Sequence, residues 1–188
     1  MSVLVSFGLR NLSLLIIQLF MKNKCVFVIG PESSGSKLIA RICSHALGIK
    51  QFEDWNGTGW SDNGNHKVLH RSLPYDNPPK FPDIDEWISA NEKEYELYLI
   101  LTTRDITVSE FSRLKRWGKS SSQSIEETEK ARIIMTSVMK REIAFFIWSY
   151  ETFLFLGKDY LDCLYKFLGI NSDFIPELID GNRGKFLK

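Results

Sequence analysis

Cys25 to Gly30 reads CVFVIG, and the chain then turns through PESSG into SKLIARICSHAL. An unbroken apolar run rich in β-branched residues predicts a strand buried on both faces, as in a parallel sheet. Pro31 and the small residues to Gly35 break that strand, and the apolar spacing after them predicts a helix from about Ser36 to Leu47. A strand of this kind needs another strand on each edge and helices over both faces, because nothing else covers its backbone and its side chains together. The rest of the chain supplies them.

After the first helix, Phe52 to Asn65 is rich in Gly, Asn, Asp and Trp and has turn chemistry. His66 to Arg71 (HKVLHR) predicts a short strand ended by Leu73-Pro74, and the four prolines between Pro74 and Pro82 predict extended loop. Asp83 is placed to cap a helix through about Glu94, followed by a buried strand Glu96 to Thr102 and a helix from about Thr107 to Trp117. The serine-rich KSSSQS at Lys119 to Ser124 reads as a surface loop, with Ser124 capping a helix to about Lys140. Ile143 to Ser149 predicts another strand, and Asp159 to Leu168 a helix ended by Gly169. Strands alternating with helices predict an α/β fold with a mostly parallel central sheet of about four to five strands and helices on both faces.

At 188 residues and roughly 150 residues per domain, the chain holds one such domain, expected over residues 23–188. Residues 1–22 form a separate apolar segment. Val3 to Phe20 approaches the length of a membrane span but carries Arg10, Asn11 and Gln18, so it reads as an extra amphipathic helix or as a leader upstream of a start at Met21. A signal anchor is the alternative, and any membrane contact is expected only through residues 3–20. The 24 Lys+Arg and 23 Asp+Glu leave a formal charge of +1, so no global field attracts nucleic acid. The three cysteines, Cys25, Cys43 and Cys163, are widely spaced in apolar runs. They are expected to be buried free thiols in a reducing, cytoplasmic protein, with no disulfide framework and no metal site.

Two segments carry chemistry. Gly30-Pro-Glu-Ser-Ser-Gly-Ser-Lys37 joins a strand to a helix N-terminus through small and hydroxyl-bearing residues. Such a loop can turn several backbone N–H groups, and the helix dipole with them, toward one phosphate. Its spacing nearly fits GxxxxGK[ST], but Ser36 and Lys37 stand in reversed order, and one residue of helix turns the lysine by about 100°. ATP or GTP hydrolysis is disfavoured on that ground. The second segment is Thr103-Arg104-Asp105 at the end of a strand, with Ser112 on the following helix, where a guanidinium and a hydroxyl can grip a second phosphate.

A Pro-x-x-Ser-Gly-Ser loop after the first strand and an Arg-x7-Ser after a later one together resemble the sulfotransferase family. Ser149-Tyr150-Glu151, Tyr165-Lys166-Phe167-Leu168-Gly169, His70-Arg-Ser-Leu-Pro74 and Asp180-Gly-Asn-Arg183 are similar to further segments of that family. The resemblance covers about Lys24 to Lys185 and implies a three-layer P-loop-like domain. It further implies transfer of a sulfuryl group from 3′-phosphoadenosine 5′-phosphosulfate (PAPS) to the hydroxyl or amine of an acceptor, a small molecule, a carbohydrate or a protein tyrosine, leaving adenosine 3′,5′-bisphosphate and using no metal. On this resemblance Ser33, Ser34, Gly35, Ser36 and Lys37 hold the 5′ end of the donor, Arg104 and Ser112 its 3′-phosphate, and Arg183 contacts the nucleotide. Lys37 is also expected to supply charge at the leaving phosphate, since Ser33 stands where many members have Lys or Arg, with Arg41 as the alternative cation. His70 is the expected base, with Ser72, Glu53 and Asp54 as alternatives, and Trp55, Trp60 and Tyr75 flank the acceptor side. A small-molecule or nucleotide kinase and a non-catalytic nucleotide-binding protein are the competing readings.

Overall fold

The computed structural model describes residues 22–56 and 65–177. The segment 1–21, Trp60 and Arg183 lie outside them. Five strands and six helices alternate along the chain: β1 (Asn23–Pro31), α1 (Ser36–Ala46), β2 (Glu53–Asp54), β3 (Lys67–Leu73), α2 (Ile84–Asn91), β4 (Tyr95–Thr103), α3 (Ile106–Trp117), α4 (Ser121–Met139), β5 (Ala144–Ser149), α5 (Tyr150–Leu156) and α6 (Lys158–Phe167). The strands form one sheet in the order β2-β3-β1-β4-β5, and every neighbouring pair is parallel.

The apolar run that predicts a doubly buried strand is the centre of this sheet. Residues Cys25 to Ile29 are fully buried, and strand alternation divides them between two cores. Val26 and Val28 point to one face, where Ile39, Ala40, Ile42 and Cys43 of α1 and Leu161, Leu164 and Tyr165 of α6 cover them. Cys25, Phe27 and Ile29 point to the other, against Ile84 and Trp87 of α2 and Ala131 and Val138 of α4. Fully burying each large apolar side chain contributes about 1.5–3 kcal/mol. The result is the three-layer α/β arrangement that the alternation of elements predicts.

Helix starts follow local hydrogen bonding. Asp83 caps α2 by accepting from the N–H groups of Asp85 and Glu86, Asp105 caps α3 through Val108 N–H, and Ser149 caps α5 through Thr152 N–H. Several expectations are corrected. The helix expected to start at Ser124 begins at Ser121, because Ser120 and Gln123 form a reciprocal capping box that draws the serine-rich stretch into the first turn. Asp83's helix stops at Asn91, before Glu94. Two elements were not expected: β2, two residues inside the turn-rich stretch, and α5, which starts directly from the end of β5. Cys25 and Cys43 are buried as expected, whereas Cys163 is exposed. Among the described residues no helix is long and apolar enough to cross a membrane.

The connection leaving β1 runs through α1 toward β2 and β3, and the one leaving β4 runs through α3 and α4 toward β5. Adjacent strands whose connections part in opposite directions open a crevice at their carboxyl ends, the usual ligand position in open α/β sheets. At its base, Gly30 lies against Thr102 so closely that an added Cβ would meet both the Thr102 hydroxyl and, at 2.6 Å, the Thr102 carbonyl oxygen. Backbone cannot yield as a flexible side chain can. Gly30→Ala is therefore expected to destabilise the protein by about 1–3 kcal/mol, read as a lower urea midpoint at unchanged m-value; an unaltered midpoint would show that β1 and β4 separate freely there.

Candidate functional site

The loop between β1 and α1 lies at the mouth of this crevice and is held from three sides. From β4, the Thr102 hydroxyl bonds the Ser34 hydroxyl at 2.6 Å and lies 3.3 Å from the Ile29 carbonyl. Just past β4, Arg104 donates through Nη1 to the Ser33 carbonyl at 2.9 Å, while its guanidinium stacks 4.6 Å from the centre of the Tyr150 ring. From the α3–α4 junction, Lys119 bonds Glu32 at 2.6 Å and Glu127 at 2.8 Å. Burial acts to lower the Lys119 pKa, but the hydrogen bonds to Glu127 and Glu32 outweigh it and leave it raised. Lys119 thus pairs with two carboxylates, one of them in the loop.

Two loop residues adopt left-handed backbone, Ser33 at φ 67° and Gly35 at φ 88°. Gly35 has a packing reason as well as a conformational one, since a Cβ there would lie 3.1 Å from the Tyr150 ring. Ser33 accepts the unfavourable conformation without being glycine, and its buried hydroxyl has no hydrogen-bond partner among the described residues. Gly35 is the N-cap of α1, and no side chain caps that helix. The N-terminus of α1 therefore presents the positive end of the helix dipole together with an unused hydroxyl, the combination that accepts an anion.

His70 completes the group. It is 2% exposed in the middle of β3, opposite Val28 of β1, so it faces the layer that contains α1. Its Nε2 lies 2.9 Å from the hydroxyl of Ser36 in the first turn of α1, and its Nδ1 lies 2.7 Å from Oδ1 of Asp54 on β2. Phe52 packs edge-on against the ring. Burial pushes the His70 pKa below the ordinary imidazole value; hydrogen bonding and charge from Asp54 oppose this, and the cations Lys37 and Arg71 add to it. His70 is thus neutral at neutral pH.

The structure brings Ser33, Ser34, Gly35, Ser36, Lys37, Arg104 and His70 to one end of the sheet. Lys37 is exposed on the second residue of α1. Ser112 is 2% exposed inside the fold, and its hydroxyl donates to the Val108 carbonyl of its own helix at 2.8 Å. Asp54 and Glu53 are consecutive on β2, and only Asp54 pairs in register with His70. Ser72 is two residues beyond His70 on the same strand. Trp55 belongs to the core against Phe27, a correction to its expected place beside an acceptor, while Tyr75 lies under the Arg71 guanidinium. His45 stacks on Phe174, and His66 accepts the Lys24 backbone N–H at Nδ1. Sequence reasoning named Asp54 only as a substitute for His70. The signal that it is a partner was a two-residue strand, too short for any periodicity. Compared with protein-family models, curated proteins and solved structures, the chain matches none of them.

The histidines set an acid sensitivity. Burial lowers the His70 pKa, and burial together with the Lys24 charge lowers that of His66. Below pH 6.5, their ordinary value, both protonate more readily in the unfolded chain, so stability is full above that pH and declines as pH falls toward the folded-state values. The urea midpoint is expected to drop between about pH 7.5 and 5.5, a range above carboxylate titration. The drop should be smaller in His66→Asn/His70→Asn; equal drops would assign the effect to other groups.

Proposed function

We propose that this protein is a sulfotransferase that moves a sulfuryl group from PAPS to the hydroxyl or amine of a small-molecule or carbohydrate acceptor. The observation that carries the reading is the hydrogen bond between His70 Nε2 and Ser36, which puts a neutral imidazole within reach of the turn best suited to an anion. A group-transfer site needs both: donors where charge gathers on the leaving group, and a base where the acceptor loses its proton. The fit is supported by the uncapped start of α1 and the unpartnered buried hydroxyl of Ser33.

In this reading Ser33, Ser34, Gly35 and Ser36 hold the 5′-phosphosulfate, and Lys37 adds the charge that Ser33 does not supply. The acceptor oxygen or nitrogen attacks sulfur as its proton passes to His70 Nε2. The bond from sulfur to the bridging oxygen breaks, and its electron pair stays on the phosphate of departing adenosine 3′,5′-bisphosphate. In the same reading Arg104, which lies against the loop at Ser33, binds the 3′-phosphate. The cavity of about 380 Å³ beside Arg104, lined by Leu101, Ile106, Met135 and Ile147 among others, offers apolar surface for a purine.

Adenosine 3′,5′-bisphosphate is expected to raise the melting temperature more than ATP with Mg²⁺, since a ligand at 100 times its Kd adds about 2.7 kcal/mol. The opposite order would favour a kinase. Arg104→Ala should weaken the bisphosphate by about ten- to a hundredfold while leaving adenosine 5′-phosphate nearly unchanged, because a charge-assisted hydrogen bond contributes roughly 1.5–3 kcal/mol. Equal losses for the two nucleotides would make Arg104 a support of the loop alone. His70→Ala should lower sulfuryl transfer by about 10²–10⁴-fold at unchanged bisphosphate affinity.

A further inference from the structure

Asp54, His70 and Ser36 form a continuous chain of two hydrogen bonds, 2.7 Å from carboxylate to Nδ1 and 2.9 Å from Nε2 to hydroxyl. The three residues come from β2, β3 and α1, so the chain runs across the sheet edge into the candidate anion site. An ionised carboxylate only accepts hydrogen bonds, whereas a neutral imidazole has one donor and one acceptor nitrogen. The bond to Asp54 therefore requires the ring proton on Nδ1, which leaves Nε2 as the acceptor facing Ser36.

We propose that Asp54 is the positioning residue of this site: it keeps the His70 proton on Nδ1 and so presents an unprotonated Nε2 to the N-terminus of α1. In the free protein the Ser36 hydroxyl fills that acceptor position by donating to Nε2. When an anion at the start of α1 accepts the hydrogen bond of the Ser36 hydroxyl, Nε2 is open to the acceptor's proton instead. The role as base toward an acceptor rests on the sulfuryl-transfer reading; the tautomer does not.

Other assignments fit the surroundings less well. Asp54 has a half-exposed side chain, and its Oδ1 also lies 3.6 Å from the Arg71 guanidinium. The charged groups that bear on His70 are Asp54, Lys37 and Arg71. Both cations disfavour imidazolium, and Asp54 alone opposes them. Removing its charge must lower the His70 pKa further, so the acid limb of an activity profile moves to lower pH while the plateau falls with the loss of the correct tautomer.

The test is Asp54→Asn in the full chain, with ¹⁵N-labelled histidine and the three ring systems assigned by single replacement. In the wild type the His70 Nδ1 should show the protonated and Nε2 the unprotonated nitrogen shift. The Asp54→Asn protein should populate the reversed tautomer, because an amide can donate to Nδ1. Its kcat should fall by about 10²–10⁴-fold with nucleotide affinity unchanged, and its acid limb should lie at lower pH. Asp54→Glu, which keeps the carboxylate, should restore part of both signals. A wild-type His70 protonated on Nε2, or an Asp54→Asn protein with unchanged tautomer and pH profile, would overturn the assignment. The spectra need no donor molecule, so a normal tautomer response in a protein that ignores adenosine 3′,5′-bisphosphate would sink the sulfotransferase reading and leave the role of Asp54 standing.

Discussion

Thr102 is the point on which the site depends. Its hydroxyl is wholly buried between two strands and reaches both the Ile29 carbonyl and the Ser34 hydroxyl. A buried polar group that lacks a partner costs about 1–3 kcal/mol, so each of these groups holds the others in place. The consequence is that the loop after β1 takes its shape from the neighbouring strand β4. Gly30 permits the approach, Ser34 completes the bond, and the left-handed residues Ser33 and Gly35 turn the chain into α1. Arg104 and Lys119 then brace the same turn from outside. A loop fixed in this way can aim its backbone donors before any ligand arrives, so little ordering remains to oppose binding.

The charge accounting at this end of the sheet is compact. Glu32 would repel an anion at the start of α1, but Lys119 neutralises it and is itself shared with Glu127. Asp54 is likewise balanced by Arg71 and bonded to His70. Lys37, the Arg104 guanidinium and the dipole of α1 all add positive field at this end. A chain with a net charge of only +1 thus builds a positive site by pairing its acids away rather than by collecting bases.

How much of this was legible in the sequence follows from the kind of signal each part leaves. CVFVIG announces a central strand because six consecutive residues are apolar and β-rich, and the loop and helix behind it follow from Pro31, Gly35 and the apolar spacing of α1. His70 was legible as a candidate because few residue types can act as a base at neutral pH. Ser120 was misjudged because a capping box and a polar loop have the same composition until the helix behind them is seen. Ser112 pairs with Arg104 through spacing and the family resemblance, and neither says that its hydroxyl also bonds its own helix. Asp54 was half legible: the residue was noticed, but its role depends on β2 pairing with β3 in one register, and two residues cannot announce a strand.

That shortness has a consequence for how such a site can change over time. His70, the loop and Thr102 lie on strands and turns whose loss would dismantle the sheet. The carboxylate bonded to His70 rides on a two-residue strand at the outer edge, held by its pairing with β3 and by the flanking side chains Phe52 and Trp55, which pack on His70 and Phe27. Insertions or deletions outside Phe52 and Trp55 can alter the connections to that edge without disturbing the centre. The chain therefore combines two kinds of support: the imidazole of His70 sits inside the sheet, while the carboxylate bonded to it sits on the outermost strand.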